Sequence, residues 1–297
     1  MKQAVCPRLL RAIAGALALA GAALSAHATI QITDDRGRTL HFDEPPRRVV
    51  SLLPSSTESL CEMQQCERLV GVDRYSNWPA SVRQLPKVGG GIDPNIEAIV
   101  ALRPDVVLLS VSSRVSDRLE ALGVKVVALE PKTHADVRRV LTLIGDLFAV
   151  PRAQGADRLW RVIDAAVQAA AQSLPPKARG ARVYFEVSRG PYAAGQPSFI
   201  GETLARLGAR NVVAADLGPF PRLSPEYVLR AQPDVIMVSN RSAQPMTRYP
   251  GWDKLAAIRA GRLCVFGPEH SDVLVRPGPR MAEAARLMAG CLSEKFQ

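Results

Sequence analysis

The sequence predicts an α/β protein: two Rossmann-like lobes with parallel central sheets, joined by one long rigid α-helix. Three observations lead there. The segment NIEAIVALRPDVVLLS at residues 95–110 returns 129 residues later as SPEYVLRAQPDVIMVS at 224–239, with five identities and mostly apolar exchanges elsewhere. Short β-branched runs alternate with amphipathic stretches in both halves, the pattern of parallel sheets covered on both faces. Between the halves, Arg152 to Ser173 keeps one apolar stripe (Ala156, Leu159, Trp160, Ile163, Val167, Ala170), a helix of roughly 33 Å. A repeat this widely spaced indicates two similar lobes, since solenoid periods are about 20–50 residues. Two lobes enclose one cleft, so a ligand cleft between the lobes is expected.

Taken in order, the chain opens with Lys2, Arg8 and Arg11, an apolar run from Ile13 to Leu24, and Ala26-His27-Ala28. These are the three parts of an export leader, predicting a signal peptide over 1–28 and a mature start at Thr29. No cysteine follows the apolar run, and no later stretch reaches the roughly 20 apolar residues of a membrane span. Export to a periplasm is expected.

Ile30 to Phe42 alternates around Asp35-Arg36-Gly37, an N-terminal hairpin. Arg48 to Leu53 is a buried strand, after which Ser55 and Glu58 have the spacing of a capping box. Leu69 to Val72, Val106 to Leu109 and Val124 to Leu129 complete the strands of an N-terminal lobe over 29–133. A linking helical segment follows over 134–176, containing Ala135 to Phe148 and the long helix, closed by Pro175-Pro176. Strands at Arg182 to Val187, Asn211 to Ala214, Val235 to Val238 and Leu263 to Phe266 form a C-terminal lobe over 177–297.

Without the leader the chain carries 35 basic and 28 acidic residues, a net charge of +7. The basic residues are scattered singly, without a Lys/Arg block or an RNA-type aromatic motif, so they read as solvated faces and no nucleic-acid partner is expected. Four cysteines remain. In an oxidising compartment an even count favours disulfides. Spacing suggests Cys264–Cys291, whereas Cys61–Cys66 would close a five-residue step that strict helical geometry makes awkward.

Enzyme signatures are missing: no HExxH, no GxSxG and no phosphate loop, and neither His270 nor Tyr75 with Tyr192 has the companions of a metal site. No catalytic residue, metal or cofactor is expected. The Gly89-Gly90-Gly91 run is a plain connector or a place of close backbone approach. Glu97 and Glu226 sit in the first turns of the repeated helices. There a carboxylate complements the helix dipole, or offers a charge to an arginine on a two-fold partner. Tyr75, Tyr192 and Phe220 lie in Gly/Pro-rich loops at strand ends, where open α/β sheets bind ligands. Arg276 can meet an anionic group of a ligand or pair with Asp272.

With these residues in place, the chain resembles the periplasmic substrate-binding proteins of ABC importers that have a rigid helical backbone, within them the vitamin B12-binding type. The resemblance rests on RVVSLLPSSTE, LVGVDRYSNWP, LPKVGG, NIEAIVALRPDVVLL, the loop around Tyr192, FPRLSPEYVLRAQPDVIMV and RPGPR, in family order over essentially the whole mature chain. It implies a protein that is not an enzyme. Such a protein binds a cobalamin-like corrinoid, with haem or a ferric siderophore as the alternative, and hands it to an inner-membrane ABC permease dimer with its ATPase. It further implies ligand contacts from Tyr75, Gly91, Tyr192, Phe220, Asp272 and Arg276, docking of Glu97 and Glu226 on permease arginines, and a receptor that is monomeric alone. Two family tryptophans are replaced here by Gly91 and Ser110, which implies a roomier cleft or weaker binding.

Overall fold

The computed structural model describes residues 29–240, 242–243 and 249–297; the expected leader lies outside them. An antiparallel hairpin, β1 (Ile30–Thr33) and β2 (Thr39–Phe42), precedes the first lobe. That lobe runs β3 (Val49–Ser51), α1 (Pro54–Glu62), β4 (Leu69–Val72), α2 (Ile96–Ala101), β5 (Val106–Ser110), α3 (Ser116–Ala121) and β6 (Lys125–Leu129). Its strands form one parallel sheet in the order β4-β3-β5-β6. Two helices, α4 (His134–Leu147) and α5 (Ala156–Gln172), then lead to the second lobe.

The second lobe contains β7 (Arg182–Ser188), β8 (Tyr192–Ala193), α6 (Phe199–Arg206), β9 (Arg210–Asn211), α7 (Pro225–Ala231), β10 (Val235–Ser239), α8 (Ala256–Arg259), β11 (Leu263–Phe266), α9 (Pro268–Val275) and α10 (Met281–Lys295). Strands β9, β7, β10 and β11 run parallel in the order that β4, β3, β5 and β6 take in the first lobe, with β8 added antiparallel to β7. The sequence repeat is therefore a repeat of topology.

The strand period divides each sheet between two cores. In β5, Val106 and Leu108 face a core shared by both lobes, while Val107 and Leu109 face a smaller core of the first lobe. In β10, Val235 and Met237 face the shared core, while Ile236 and Val238 face that of the second lobe. The shared core continues through Leu159, Ile163 and Val167 of α5 to Met288 and Leu292 of α10, which packs along α5. Removing any of these buried side chains costs about 2–5 kcal/mol, so the two lobes are welded by one apolar layer.

Three expectations need correction. The linking helix is shorter than the predicted stretch: α5 has 17 residues, about 26 Å. Residues 152–155 instead form turns bonded to Pro151 and Arg152, with Gly155 at φ −100° and ψ −108°, a conformation that a helix cannot include. Ser55 does not cap α1, which starts at Pro54 after Leu53 with no side-chain cap, and Glu58 is buried and engaged elsewhere. The predicted strand from Asn211 to Ala214 reduces to Arg210–Asn211, because Asn211 turns its amide onto Ala194 and Val213 and ends the ladder.

Both cysteine pairs are joined, Cys264–Cys291 between β11 and α10, and Cys61–Cys66. The second pair escapes the helical constraint because the chain leaves α1 at Met63 and turns through Gln64 at φ +61°, bringing the two Cα atoms to 4.1 Å.

Candidate functional site

The C-terminal ends of β7, β10 and β11 open into a cavity of about 420 Å³. Its walls include Glu186 and Ser188 of β7, Ser239 of β10, Phe266 of β11, and Ser271 and Asp272 of α9. One wall reaches the other lobe. Asp272 accepts from Asn77 Nδ2 at 2.9 Å, in the loop that follows β4 and carries Tyr75. The cavity thus lies within the second lobe and borders the seam with the first at Asp272, at the strand ends where open α/β sheets place ligands.

Arg276 is the centre of that seam. Nη1 donates to Glu58 Oε1 at 2.7 Å and to Asn77 Oδ1 at 2.9 Å; Nη2 donates to the Tyr75 carbonyl at 2.9 Å and to Asp272 at 2.8 Å. The residue is 6 % exposed and Glu58 is 1 % exposed. Burial pushes the Glu58 carboxyl up from the ordinary glutamate range, and the guanidinium of Arg276 works against that rise. Arg280 stands 3.8 Å from Glu58 and lies over the Trp78 ring at 4.5 Å, while Gly278 packs on Ser55 so closely that a side chain would press on its backbone. Of the two alternatives for Arg276, the structure has the pair with Asp272, enlarged into a clamp across the lobes. All four Nη hydrogens are committed, so Arg276 holds the loop bearing Tyr75 rather than presenting a free charge.

Tyr75 is 59 % exposed and Tyr192 is 40 % exposed, one from each lobe. Tyr192 stands opposite Ser188 in the β7–β8 ladder, which puts it beside the cavity wall. Phe220 is half-buried against Phe199, ring centroids 5.9 Å apart, and packs on the shared core. Trp78 is pinned under Arg280. In the glycine run, Gly89 (φ +97°) and Gly90 fold over Asp93 and Pro94, so their lack of a side chain serves the turn. Gly91 is different: an added Cβ would meet only the Leu52 carbonyl, at 3.4 Å, leaving open space where the resemblance expects a tryptophan.

The repeated helices start alike. Asn95 caps α2 by accepting from the Ala98 amide at 2.8 Å, and Ser224 caps α7 by accepting from the Tyr227 amide at 3.3 Å. This puts Glu97 and Glu226 at the same second position, both exposed. Glu97 is 3.5 Å from Arg118, itself well exposed, a pair that contributes little. The Glu226 carboxyl is held below its ordinary range by its own backbone amide and by Ser224.

Glu186 was not foreseen. It is 2 % exposed, in the middle of an apolar strand. The Tyr184 hydroxyl donates to its Oε2 at 3.2 Å, yet burial still pushes the carboxyl up to about 7. The only signal was an acid among apolar neighbours in YFEVS, which strand periodicity alone does not distinguish from an outward-facing residue.

Among the described residues there is no group of three or more His, Cys, Asp or Glu that would hold a metal ion, and no helix long and apolar enough to cross a membrane. The model of the periplasmic binding protein family matches residues 49–269. The cobalamin-binding protein of Halobacterium salinarum is 31% identical over 278 residues, 86% of this chain and 72% of that one. The vitamin B12-binding protein of Salmonella typhi is 27% identical over 252 residues, covering 83% and 90%. Among solved structures, a periplasmic haem-binding protein in complex with two haems superimposes with a TM-score of 0.71 at 26% identity, covering 84% of this chain and 99% of that one. The vitamin B12-binding protein of Vibrio cholerae superimposes with a TM-score of 0.68 at 25% identity, covering 84% and 98%. The shared two-lobed fold and the match over most of its length make this chain a member of the periplasmic binding protein family.

Proposed function

We propose that this chain is a periplasmic receptor that captures a cobalamin-like corrinoid between its lobes and delivers it to an inner-membrane ABC permease dimer with its ATPase, performing no chemistry on the ligand. The observation that carries this reading is the pair of exposed tyrosines, one from each lobe: Tyr192 opposite Ser188 of the cavity wall, and Tyr75 in the loop whose Asn77 bonds Asp272 of that wall. Aromatic rings offered from both lobes suit a large planar macrocycle, which supplies the matching apolar face. Gly91 leaves room for its bulk, Asp272 offers an acceptor, and Phe220 lies two residues from Arg222, which pairs with Tyr192. The clamp at Arg276 and the common apolar layer hold the lobes in place, which lowers the ordering cost of binding. Relatives named for cobalamin or vitamin B12 support the ligand class.

Glu97 and Glu226, exposed at equivalent helix starts, are proposed to dock on arginines of the permease, one from each lobe. The receptor acts as a monomer, exported by the leader over 1–28, with lobes over 29–133 and 177–297 linked by 134–176. Haem or a ferric siderophore is the second reading, favoured by the haem-bound structural relative. Titration of the mature protein with cyanocobalamin and, in parallel, haemin tests the ligand. One-to-one sub-micromolar binding of cobalamin alone is expected, while binding of haemin alone would transfer the same receptor role to haem.

A further inference from the structure

The cavity bordering the lobe seam is too small for a whole corrinoid. Its volume of about 420 Å³ lies at the low end for small-molecule pockets, so it admits an edge of the macrocycle. What lines it is polar in a specific way. Glu186 is 2 % exposed and Asp272 stands on another wall, giving two carboxyl groups. The hydroxyls of Ser188, Ser239 and Ser271 surround them. Ser271 donates to the Phe266 carbonyl at 3.0 Å and Ser239 to Ser242 at 3.3 Å; Glu186 is bonded by Tyr184 and Ser242, and both partners of Asp272, Asn77 and Arg276, sit on its Oδ2. Arg189, also on the wall, is engaged within the chain.

We propose that Glu186, Asp272 and the adjoining serines form a subsite that accepts an uncharged primary amide at the macrocycle edge and discriminates against a carboxylate. A primary amide brings two N–H donors and one acceptor, complementary to carboxyl oxygens and serine hydroxyls in one cavity. Above about pH 7, where Glu186 is ionised, a carboxylate in the same place would bring like charge beside Glu186 and Asp272 and no N–H donor for either, which disfavours the charged form. Polar sites that leave a group unpaired reject an analogue far more strongly than apolar ones do. The subsite rests on the corrinoid reading and sharpens it, because corrinoids carry amides on their periphery where haem carries propionates.

The test uses cobalamin and its singly hydrolysed derivatives, in each of which one peripheral propionamide has become the carboxylic acid. Each is titrated separately at pH 8, above the raised Glu186 value of about 7, against the mature protein and its Glu186→Gln variant. Wild type is expected to bind cobalamin about tenfold more tightly than at least one of the acids. Glu186→Gln should narrow that ratio to about threefold or less, while still binding cobalamin. Equal affinity of wild type for cobalamin and all the acids, or an unchanged ratio in the variant, overturns the subsite. Cobalamin failing to bind wild type at all overturns the corrinoid reading, and the subsite with it. Should Glu186→Gln not fold, Asp272→Asn is held to the same criterion.

Discussion

The two lobes repeat the same local device with different strengths. In the first, Asp105 accepts from two backbone amides at the entry to β3, Arg47 at 2.7 Å and Arg48 at 2.8 Å, and Arg48 returns a guanidinium to the Leu102 carbonyl at 2.6 Å. In the second, Asp234 accepts from the Arg182 amide at 2.9 Å, and Arg182 reaches the Ala231 carbonyl at 2.6 Å. The Pro-Asp of the repeat therefore ties the end of the Glu-bearing helix to the start of the neighbouring strand in both lobes. Outside this device the lobes diverge. The cavity and the buried Glu186 belong to the second lobe, whereas the first contributes the Tyr75 loop and the buried Glu58. A duplicated frame with a one-sided interior fits the proposed receptor, with two equivalent outer contacts around an asymmetric ligand.

The strongest way to break this comparison is at the clamp joining the lobes. Arg276→Met should destabilise by about 3–5 kcal/mol, because it leaves Glu58 buried without its partner. Glu58→Gln combined with Arg276→Met should recover much of that loss in denaturant melts. Equal losses in the single and double variants would show that packing around Arg276 matters and the charge pair does not.

A smaller effect separates the interiors. The Glu186 carboxyl is raised to about 7 in the folded chain, above its ordinary range, so the folded state binds the extra proton between the two values. Its stabilising contribution is present below the unfolded pKa and is lost as pH rises through about 7. Tyr184 and Tyr249 face this carboxyl, and Asp272 and Arg189 share its cavity. Between pH 4.5 and 7.5, wild type should lose up to about 3 kcal/mol relative to Glu186→Gln, measured by urea unfolding at each pH. A constant difference across that range would place the shift elsewhere.

The least costly change probes the repeated device itself. Asp105→Ala and Asp234→Ala should each cost on the order of 1 kcal/mol, with Asp105 the larger because it holds two amides where Asp234 holds one. The reverse ranking in paired melts would mean that the half-buried surroundings of Asp234 outweigh the extra bond.

What was legible in the sequence follows from locality. The repeat located β5, β10 and both Glu-bearing helices, since period, cap and turn residues lie within sixteen positions of one another. Tyr75 is exposed in the loop where its Gly/Pro-rich surroundings put it, whereas Tyr192, read as a loop residue, is exposed from the short strand β8, because pairing with β7 is a long-range choice. The clamp was not legible: Glu58 and Arg276 lie 218 residues apart, and the local spacing of Ser55 and Glu58 imitated a capping box. Long-range burial overrode a short-range preference there. Glu186 escaped notice because burial of one side chain in a strand is decided by what packs on that face.

The account stands on the claim that the two lobes offer equivalent docking carboxylates around one ligand site. Cells that depend on this chain for cobalamin uptake test it most directly when they carry Glu97→Ala with Glu226→Ala. Uptake should fall by more than about tenfold, while the purified variant binds cobalamin within about twofold of wild type, because neither side chain touches the cavity. Normal uptake by the double variant, or uptake lost together with binding, would contradict the docking role of the repeated helices.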